Sequence, residues 1–256
     1  MILAIDVGNT NLEIGVFDGD ELIGTWRMVT KTIRSSDEYG ILMLSMLNHD
    51  HIQRENINGA IISSVVPGIM YSLTNSVRKY FRLEPLIVGP GTKTGISIET
   101  ENPKEVGSDK ICDMVGAYYS YGGPAIVVDF GTATTFDFIT KEGIFNAGAI
   151  APGIQISADA LWSKSAKLPN IEIAKPKNIL GRNTIHSMQA GLVYGYIGLV
   201  EYIIKTMKEQ TKCPEATVIS TGGYAKIIIS ETKAINLHDP VLSLKGLRII
   251  YDKNKR

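Results

Sequence analysis

The sequence lacks several residue patterns, and each absence argues against a class of protein. Among 256 residues there are only two cysteines, Cys112 and Cys213, so no disulfide framework forms and a reduced, cytoplasmic compartment is expected. The formal net charge is zero, which argues against a diffuse basic surface for nucleic acid. No apolar run reaches the roughly 20 residues of a membrane span. No basic region precedes the first apolar stretch, so a signal peptide is not expected.

One short pattern occurs twice in the chain. An apolar run leads into Asp6-Val7-Gly8-Asn9-Thr10, and a second apolar run leads into Asp129-Phe130-Gly131-Thr132. A carboxylate at a strand end, beside glycine and hydroxyl groups in a tight turn, suits a metal–phosphate site. The alternative for either copy is a plain hairpin turn in which the aspartate bonds its own backbone. Two copies favour two half-sites that close on one nucleotide.

The order of predicted elements is also repeated. Three strand-like runs open each half, at 2–5, 12–17 and 22–28 and again at 125–129, 134–140 and 143–150. Helices and strands alternate after them, which predicts a duplicated α/β fold with domains at 1–118 and 119–256 and a cleft between them. A long helix is predicted over 183–210. Its glycines, Gly191, Gly195 and Gly198, predict the close approach of another helix, within the chain or across a dimer.

Three further segments are candidates for chemistry. Gly107-Ser108-Asp109-Lys110 is typical of a helix start, but it also offers Asp109 as a base that takes a proton from an acceptor hydroxyl. Thr221-Gly222-Gly223 is either a strand-to-helix turn or a backbone surface for a flat adenine. Thr184 is either the cap of the long helix or part of a site.

Taken in order, these motifs resemble those of the type III pantothenate kinase family. The matching segments are Asp6 to Thr10, Gly107-x-Asp109, Asp129 to Thr134, Ala149-Ile150-Ala151-Pro152-Gly153 and Thr221-Gly222-Gly223. They are spread over essentially the whole chain. Asp-x-Gly-Asn-Thr alone also occurs in sugar kinases, actin and heat-shock ATPases, whereas the full ordered set is specific.

The resemblance implies an actin-like (ribonuclease H-like) fold with two α/β domains around a nucleotide cleft. It implies a cytoplasmic homodimer that uses ATP, with Mg²⁺, to phosphorylate pantothenate at the start of coenzyme A synthesis. Asp109 would be the proton acceptor. Asp129 would lie at a monovalent cation site for K⁺ or NH₄⁺. Asp6 is a candidate ligand of the Mg²⁺ that accompanies ATP. The nucleotide contacts would be Asp6, Val7, Gly8, Asn9, Thr10, Asn11, Leu12, Glu13, Thr132, Gly222 and Gly223. The pantothenate contacts would be Thr100, Gly107, Ser108, Asp109, Lys110 and Thr184.

Three positions depart from the family pattern. Lys110 replaces a usual arginine, Thr100 replaces a frequent tyrosine, and Ala147-Gly148 replaces a Gly-Gly pair. Lysine offers a point charge where arginine offers a planar fork, so the substrate contact changes. Two alternatives therefore stay open: a kinase-like regulatory or binding protein without turnover, and a kinase for another small hydroxyl compound.

Overall fold

A computed structural model describes residues 1–255 and divides the chain into two units. The first unit comprises Met1–Ser120 and the chain from Val241 onward, and the second comprises Tyr121–Pro240. The boundary lies close to the predicted one at residue 118. The structure differs at the C-terminus, which was assigned to the second domain, because apolar side chains after Val241 are buried in the first unit.

The first unit contains strands and helices in alternation. Their bounds are β1 Ile2–Val7, β2 Asn11–Asp18, β3 Glu21–Val29, α1 Ser36–His49, β4 Gly59–Ser64, α2 Pro67–Ser76, β5 Leu86–Ile87, β6 Ser97–Ile98 and α3 Ser108–Tyr121. Short 3₁₀ helices span Arg54–Asn56 and Pro103–Glu105, and a π-helical turn, Val77–Phe81, continues α2.

The second unit begins directly after α3. Its elements are β7 Ala125–Phe130, β8 Ala133–Ile139, β9 Ile144–Pro152, α4 Ile154–Lys164, α5 Thr184–Thr211, β10 Thr217–Thr221, α6 Ala225–Ile229 and β11 Leu237–His238. The last helix, α7 Leu242–Asn254, belongs to the first unit.

The two units have the same strand order. The first sheet runs β3-β2-β1-β4-β5, and in the second unit the order is β9-β8-β7-β10-β11. In each, the first strand pairs antiparallel with the second and parallel with the fourth. The predicted duplication is therefore present at the level of strand pairing, with Asp6 and Asp129 near the ends of equivalent central strands.

The side chains of β1 alternate between two buried layers. Leu3, Ile5 and Val7 lie in the apolar cluster that includes residues of α1 and α2. Ile2 and Ala4 lie in the cluster formed with α3 and α7. Because side chains alternate along a strand, Asp6 extends from β1 on this second side. A carboxylate is thereby placed beside the first turns of two helices.

Local sequence signals explain where the long helices begin. Ser35 is the N-cap of α1 and forms a capping box with Glu38. Asn183 caps α5 through a 2.8 Å bond from the His186 amide to its side-chain oxygen. The predicted start of the long helix is thus correct to one residue.

Helix α7 was not predicted as an element. The helix buries Leu244, Leu247 and Ile250 completely. Gly246 packs so closely against the backbone carbonyl of Cys112 in α3 that a Cβ at this position would overlap it. Gly116 of α3 packs in the same way against the backbone carbonyl of Leu242. Glycines on both helices thus allow their backbones to approach closely.

Candidate active site

The first Asp-x-Gly turn is a tight connection between β1 and β2. The Gly8 amide donates to the Asn11 carbonyl at 3.0 Å, and a Cβ on Gly8 would lie 3.1 Å from the same oxygen. Thr30 braces the turn: its amide donates to the Thr10 carbonyl at 2.9 Å and its hydroxyl to the Gly8 carbonyl at 2.8 Å. Asn9 and Thr10 stay exposed at the tip. This arrangement can present backbone amides to an anion.

The predicted nucleotide stretch does not contribute uniformly. The side chains of Val7 and Leu12 are buried in the core, so these residues can offer only backbone groups to a ligand. Glu13 forms an ion pair with Arg27, its partner across β2 and β3. The polar side chains of this stretch outside the ion pair lie at Asp6 and at the tip of the turn, where Asn9 and Thr10 are exposed.

Asp6 has an unusual electrostatic environment. Burial raises the pKa of its carboxyl from 3.8 to about 7, and the charges of Asp109 and Glu13 contribute further to the increase. Hydrogen bonds with the Ser63 and Ser243 hydroxyls act in the opposite direction. The Oδ1 atom is buried and has no hydrogen-bond partner within residues 1–255. A cation or a donor group would satisfy this oxygen.

Asp109 lies in the first turn of α3. Its Oδ1 accepts a 2.8 Å hydrogen bond from the Lys110 amide, and a side chain at Gly107 would overlap the same oxygen. Glycine at position 107 is therefore required for this conformation. The charge of Asp109 acts on Asp6, so the fold brings together two predicted site residues that are far apart in sequence.

The hydroxyl of Ser108 is directed at strand β4. It makes hydrogen bonds with the Ser63 hydroxyl at 2.9 Å and with the amide and carbonyl of Ser64, both at 3.1 Å. Lys110 is half-buried, one residue after Asp109. The Oγ1 atom of Thr100 is buried with no hydrogen-bond partner in the described chain.

In the second unit, glycines surround the Asp129 carboxylate. A Cβ on Gly131 would lie 3.1 Å from its Oδ2, and one on Gly222 would overlap its Oδ1. Gly222 has φ of +90°, a conformation that favours glycine. Thr132, in the β7–β8 turn, is exposed. Glycine at both positions thus allows the backbone to lie close to this carboxylate.

The Thr221-Gly222-Gly223 segment lies against the end of β7. Thr221 pairs in register with Asp129, and the Tyr224 amide donates to the Phe130 carbonyl at 3.4 Å. Gly223 is exposed. The second Asp-x-Gly motif and this glycine turn therefore meet within one unit. Thr184, also in the second unit, is an exposed residue at the start of α5.

Two residues of the site were missed from the sequence. Ser63 ends a buried strand and pairs in register with Asp6, so aligning the ends of adjacent parallel strands could have identified it. Ser243 lies in the first turn of α7, and no local signal pointed to it because that helix was not predicted.

The described residues contain no cluster of three or more His, Cys, Asp or Glu side chains that could hold a metal ion. Mg²⁺ in nucleotide sites is held by one or two carboxylates together with phosphates and water. The unsatisfied Oδ1 of Asp6 fits that kind of ligand set. No described helix has the length and apolar character needed to cross a membrane.

Comparison with known proteins agrees with this arrangement. A solved structure from Sinorhizobium meliloti, provisionally named a 2-dehydro-3-deoxygalactonokinase, matches 99% of this chain and 97% of its own with a TM-score of 0.61 at 10% identity. A hexokinase of the ROK group from Thermus thermophilus matches 99% of both chains with a TM-score of 0.50, again at 10% identity. These matches confirm the predicted duplicated actin-like α/β fold.

The sequence relatives are much closer. A type III pantothenate kinase of Agathobacter rectalis is 54% identical over 256 residues, covering 100% of this chain and 98% of its own. One from Bacillus cytotoxicus is 52% identical over 254 residues, covering 99% and 97%. The family model for type III pantothenate kinase matches residues 2–206. The chain therefore belongs to the type III pantothenate kinase family.

Proposed function

We propose that this protein transfers the γ-phosphoryl group of ATP to the hydroxyl of pantothenate, giving 4′-phosphopantothenate and ADP as the first step of coenzyme A synthesis. The observation that carries the proposal is geometric: Ser108, the residue before Asp109, hydrogen-bonds Ser63, and Ser63 pairs in register with Asp6, so both carboxylates lie near the same end of the first sheet. Family membership supports ATP and pantothenate as the substrates. Neither a regulator without turnover nor another acceptor is favoured by any relative described above.

Asp109 is proposed as the proton acceptor. The pantothenate oxygen bonds to the γ-phosphorus, the bond from that phosphorus to the bridging oxygen of ADP breaks, and the hydroxyl proton passes to the Asp109 carboxylate. A carboxylate within hydrogen-bond reach of the hydroxyl suits this role. The half-buried first turn of α3 leaves Asp109 accessible to a small substrate.

The nucleotide contacts are proposed to come from both Asp-x-Gly turns. Backbone amides at Asn9, Thr10 and Asn11 would bind phosphate oxygens, and Thr132 of the second turn is proposed as a further phosphate contact. Gly222 and Gly223 would supply a flat backbone surface for adenine. Val7 and Leu12 would contribute through their backbones only, since their side chains are buried.

Two cations are proposed. Asp6 would hold Mg²⁺ together with the ATP phosphates, a role supported by its unsatisfied oxygen. Asp129 would hold K⁺ or NH₄⁺, a role supported by the two glycine turns, which bring backbone groups close to its carboxylate. When bound, the cations offset phosphate charge, which lowers the cost of bringing a nucleophile to the γ-phosphate.

The pantothenate contacts are proposed to include Gly107 and Lys110 beside Asp109. Lys110 is a suitable partner for the carboxylate of pantothenate, as a point charge. Thr100 is a further candidate because its buried hydroxyl oxygen has no partner in the described chain. Thr184 is proposed as a contact on the second unit.

A homodimer in the cytoplasm is the proposed working form. Gly191, Gly195 and Gly198 are exposed on α5, and a Cβ on any of them would meet no described atom within 4 Å. Tyr202, on the same helix, is 71% exposed. Since nothing else in the described chain covers these glycines, we propose that a second copy packs there.

The deciding experiment is a coupled assay of ADP release with pantothenate, with and without K⁺. We expect turnover that requires pantothenate and increases with K⁺. Asp109→Asn should reduce kcat by about 10²-fold or more, since the variant loses the proton acceptor, while Mg·ADP binding by calorimetry stays within about twofold of wild type.

Asp18→Asn, which changes an exposed carboxylate on β2, is the matched control. Full activity of Asp109→Asn would overturn the assignment of the base, and no pantothenate-dependent ADP would overturn the function.

A further inference from the structure

The Ser108 hydroxyl has no hydrogen-bonding capacity left for a ligand. A serine hydroxyl donates one hydrogen bond and accepts two. Here it donates to the Ser64 carbonyl at 3.1 Å, and it accepts from the Ser64 amide at 3.1 Å and from the Ser63 hydroxyl at 2.9 Å. All three partners lie at the end of β4. The first residue of α3 is thereby bound to the sheet.

Ser63 connects the same contact to the other carboxylate. It is fully buried, it pairs in register with Asp6 across β1 and β4, and its hydroxyl lies beside the Asp6 carboxyl group. Asp109 immediately follows Ser108. The Ser63–Ser108 hydrogen bond and one peptide unit thus connect the surroundings of the two aspartates.

We propose that Ser108 and Ser63 are positioning residues whose hydroxyl pair fixes the start of α3 against β4 and so holds Asp109 in place beside Asp6. The inference rests on the function proposed above and assigns these serines a role in orienting the proton acceptor. It also removes Ser108 from the predicted substrate contacts, because its donor and both acceptor positions are occupied by the protein.

The physical reason is the steep dependence of proton transfer on geometry. A displacement of about 1 Å at a reacting group can lower a rate by roughly 100-fold. The first turn of a helix lacks some of the intrahelical hydrogen bonds found further along. Without the Ser108 contact, Asp109 would lie in a turn that is less firmly held.

The test compares Ser108→Ala, Ser63→Ala, the double variant and Ser108→Thr. We expect Ser108→Ala to lower kcat by about 10- to 100-fold, with KM for Mg·ATP and for pantothenate within about twofold of wild type. Ser108→Thr keeps the hydroxyl and should recover most of the activity. Since the two serines act as a pair, the double variant should lose little more than the worse single variant.

Ser64→Ala is the matched control. It removes a neighbouring hydroxyl that bonds only the Val66 backbone, and it leaves the Ser64 amide and carbonyl in place. Its kcat should stay within about threefold of wild type. Equal losses of kcat in Ser64→Ala and Ser108→Ala would overturn the proposal, since any damage to this strand end would then have the same effect.

A second measurement does not depend on activity. Hydrogen exchange of peptides covering residues 107–113 should be faster in Ser108→Ala than in wild type and should return toward wild type in Ser108→Thr. Unchanged exchange would overturn the proposal, and a raised KM for pantothenate with unchanged exchange would return Ser108 to substrate contact. If wild type shows no pantothenate-dependent turnover, the proposed function fails while the exchange result still decides the role of Ser108.

Discussion

At the residue scale, the two strand-end aspartates have different surroundings. Asp6 is bonded by serine hydroxyls from β4 and α7 and lies close to a second carboxylate. Asp129 lies among glycines of its own turn and of the turn after β10. The first environment makes the charged form costly, and the second brings glycine backbone close to the carboxylate. These differences support different ligands for the two copies of one motif.

The pKa of Asp6 predicts how stability depends on pH. The folded protein keeps a proton on Asp6 up to about pH 7, whereas the unfolded chain loses it near 3.8, so stability falls as pH rises through this interval. Asp6→Asn cannot lose a proton there. In Mg²⁺-free buffer we expect it to be more stable than wild type at pH 8 by about 2–4 kcal/mol, with a smaller difference at pH 5. Urea unfolding at both values measures this, and an equal difference at both would contradict it.

Gly222 provides a residue-scale test of the Asp129 site. A methyl group at this position would overlap Asp129 Oδ1, and alanine would be strained at a φ of +90°. We expect Gly222→Ala to cost about 1–3 kcal/mol of stability and to raise the K⁺ concentration needed for half-maximal activity. Gly122→Ala is the matched control, since Gly122 has φ of +80° but no atom within 4 Å of a Cβ. An unchanged K⁺ requirement in Gly222→Ala would argue against a cation at Asp129.

At the element scale, the crossing of α3 and α7 determines the layer in which Asp6 lies. Both helices pack apolar side chains against β1, and α7 also delivers Ser243 to Asp6. The crossing depends on Gly116 and Gly246, which lie against backbone atoms of the opposite helix. Backbone cannot move aside as a flexible side chain can, so larger residues are not accommodated.

Gly246→Ala tests this crossing. The added methyl would overlap the Cys112 carbonyl, so we expect a loss of about 2–4 kcal/mol in the free energy of unfolding. Gly68→Ala in α2, where a Cβ meets no atom within 4 Å, should be neutral or stabilising by up to about 1 kcal/mol. Thermal and urea unfolding of both variants measure the contrast. Similar stability of the two would show that the helices can separate without cost.

Element boundaries were largely predictable because they depend on local chemistry. The alternation of apolar residues located the three opening strands of each unit, and the start of α5 was predicted to within one residue. Helix α7 begins after Val241, which makes no side-chain capping hydrogen bond, so it lacks the start signal that α1 and α5 carry. Only the buried leucines on its inner face, Leu244 and Leu247, reveal its packing.

At the scale of the whole molecule, the same strand order occurs in two units, and the chain returns to the first unit at its end. The return is stabilised by apolar burial of α7. A second feature at this scale is the exposed face of α5 that carries Gly191, Gly195 and Gly198. A Cβ on any of these glycines would meet no described atom within 4 Å.

Gly195→Leu tests the proposed dimer. In a monomer the new side chain would meet no neighbour within 4 Å of its Cβ, so the fold should be retained or slightly stabilised by the better helix former. In a dimer packed through these glycines it would separate the helices. We expect wild type to be dimeric and Gly195→Leu monomeric by light scattering, with Gln210→Leu, at the exposed end of α5, as control. A dimeric Gly195→Leu would place the interface elsewhere.

The sequence by itself determined the duplication, the class of fold and the family, because these follow from short motifs and from apolar patterns that are local in the chain. It also identified Asp6, Asp109 and Asp129 as chemically distinctive. Only the tertiary structure decided that Asp109 lies beside Asp6, that Ser63 and Ser243 bond Asp6, and that Ser108 binds β4. Those contacts depend on strand register and on helix crossings between distant segments, and no local pattern encodes them.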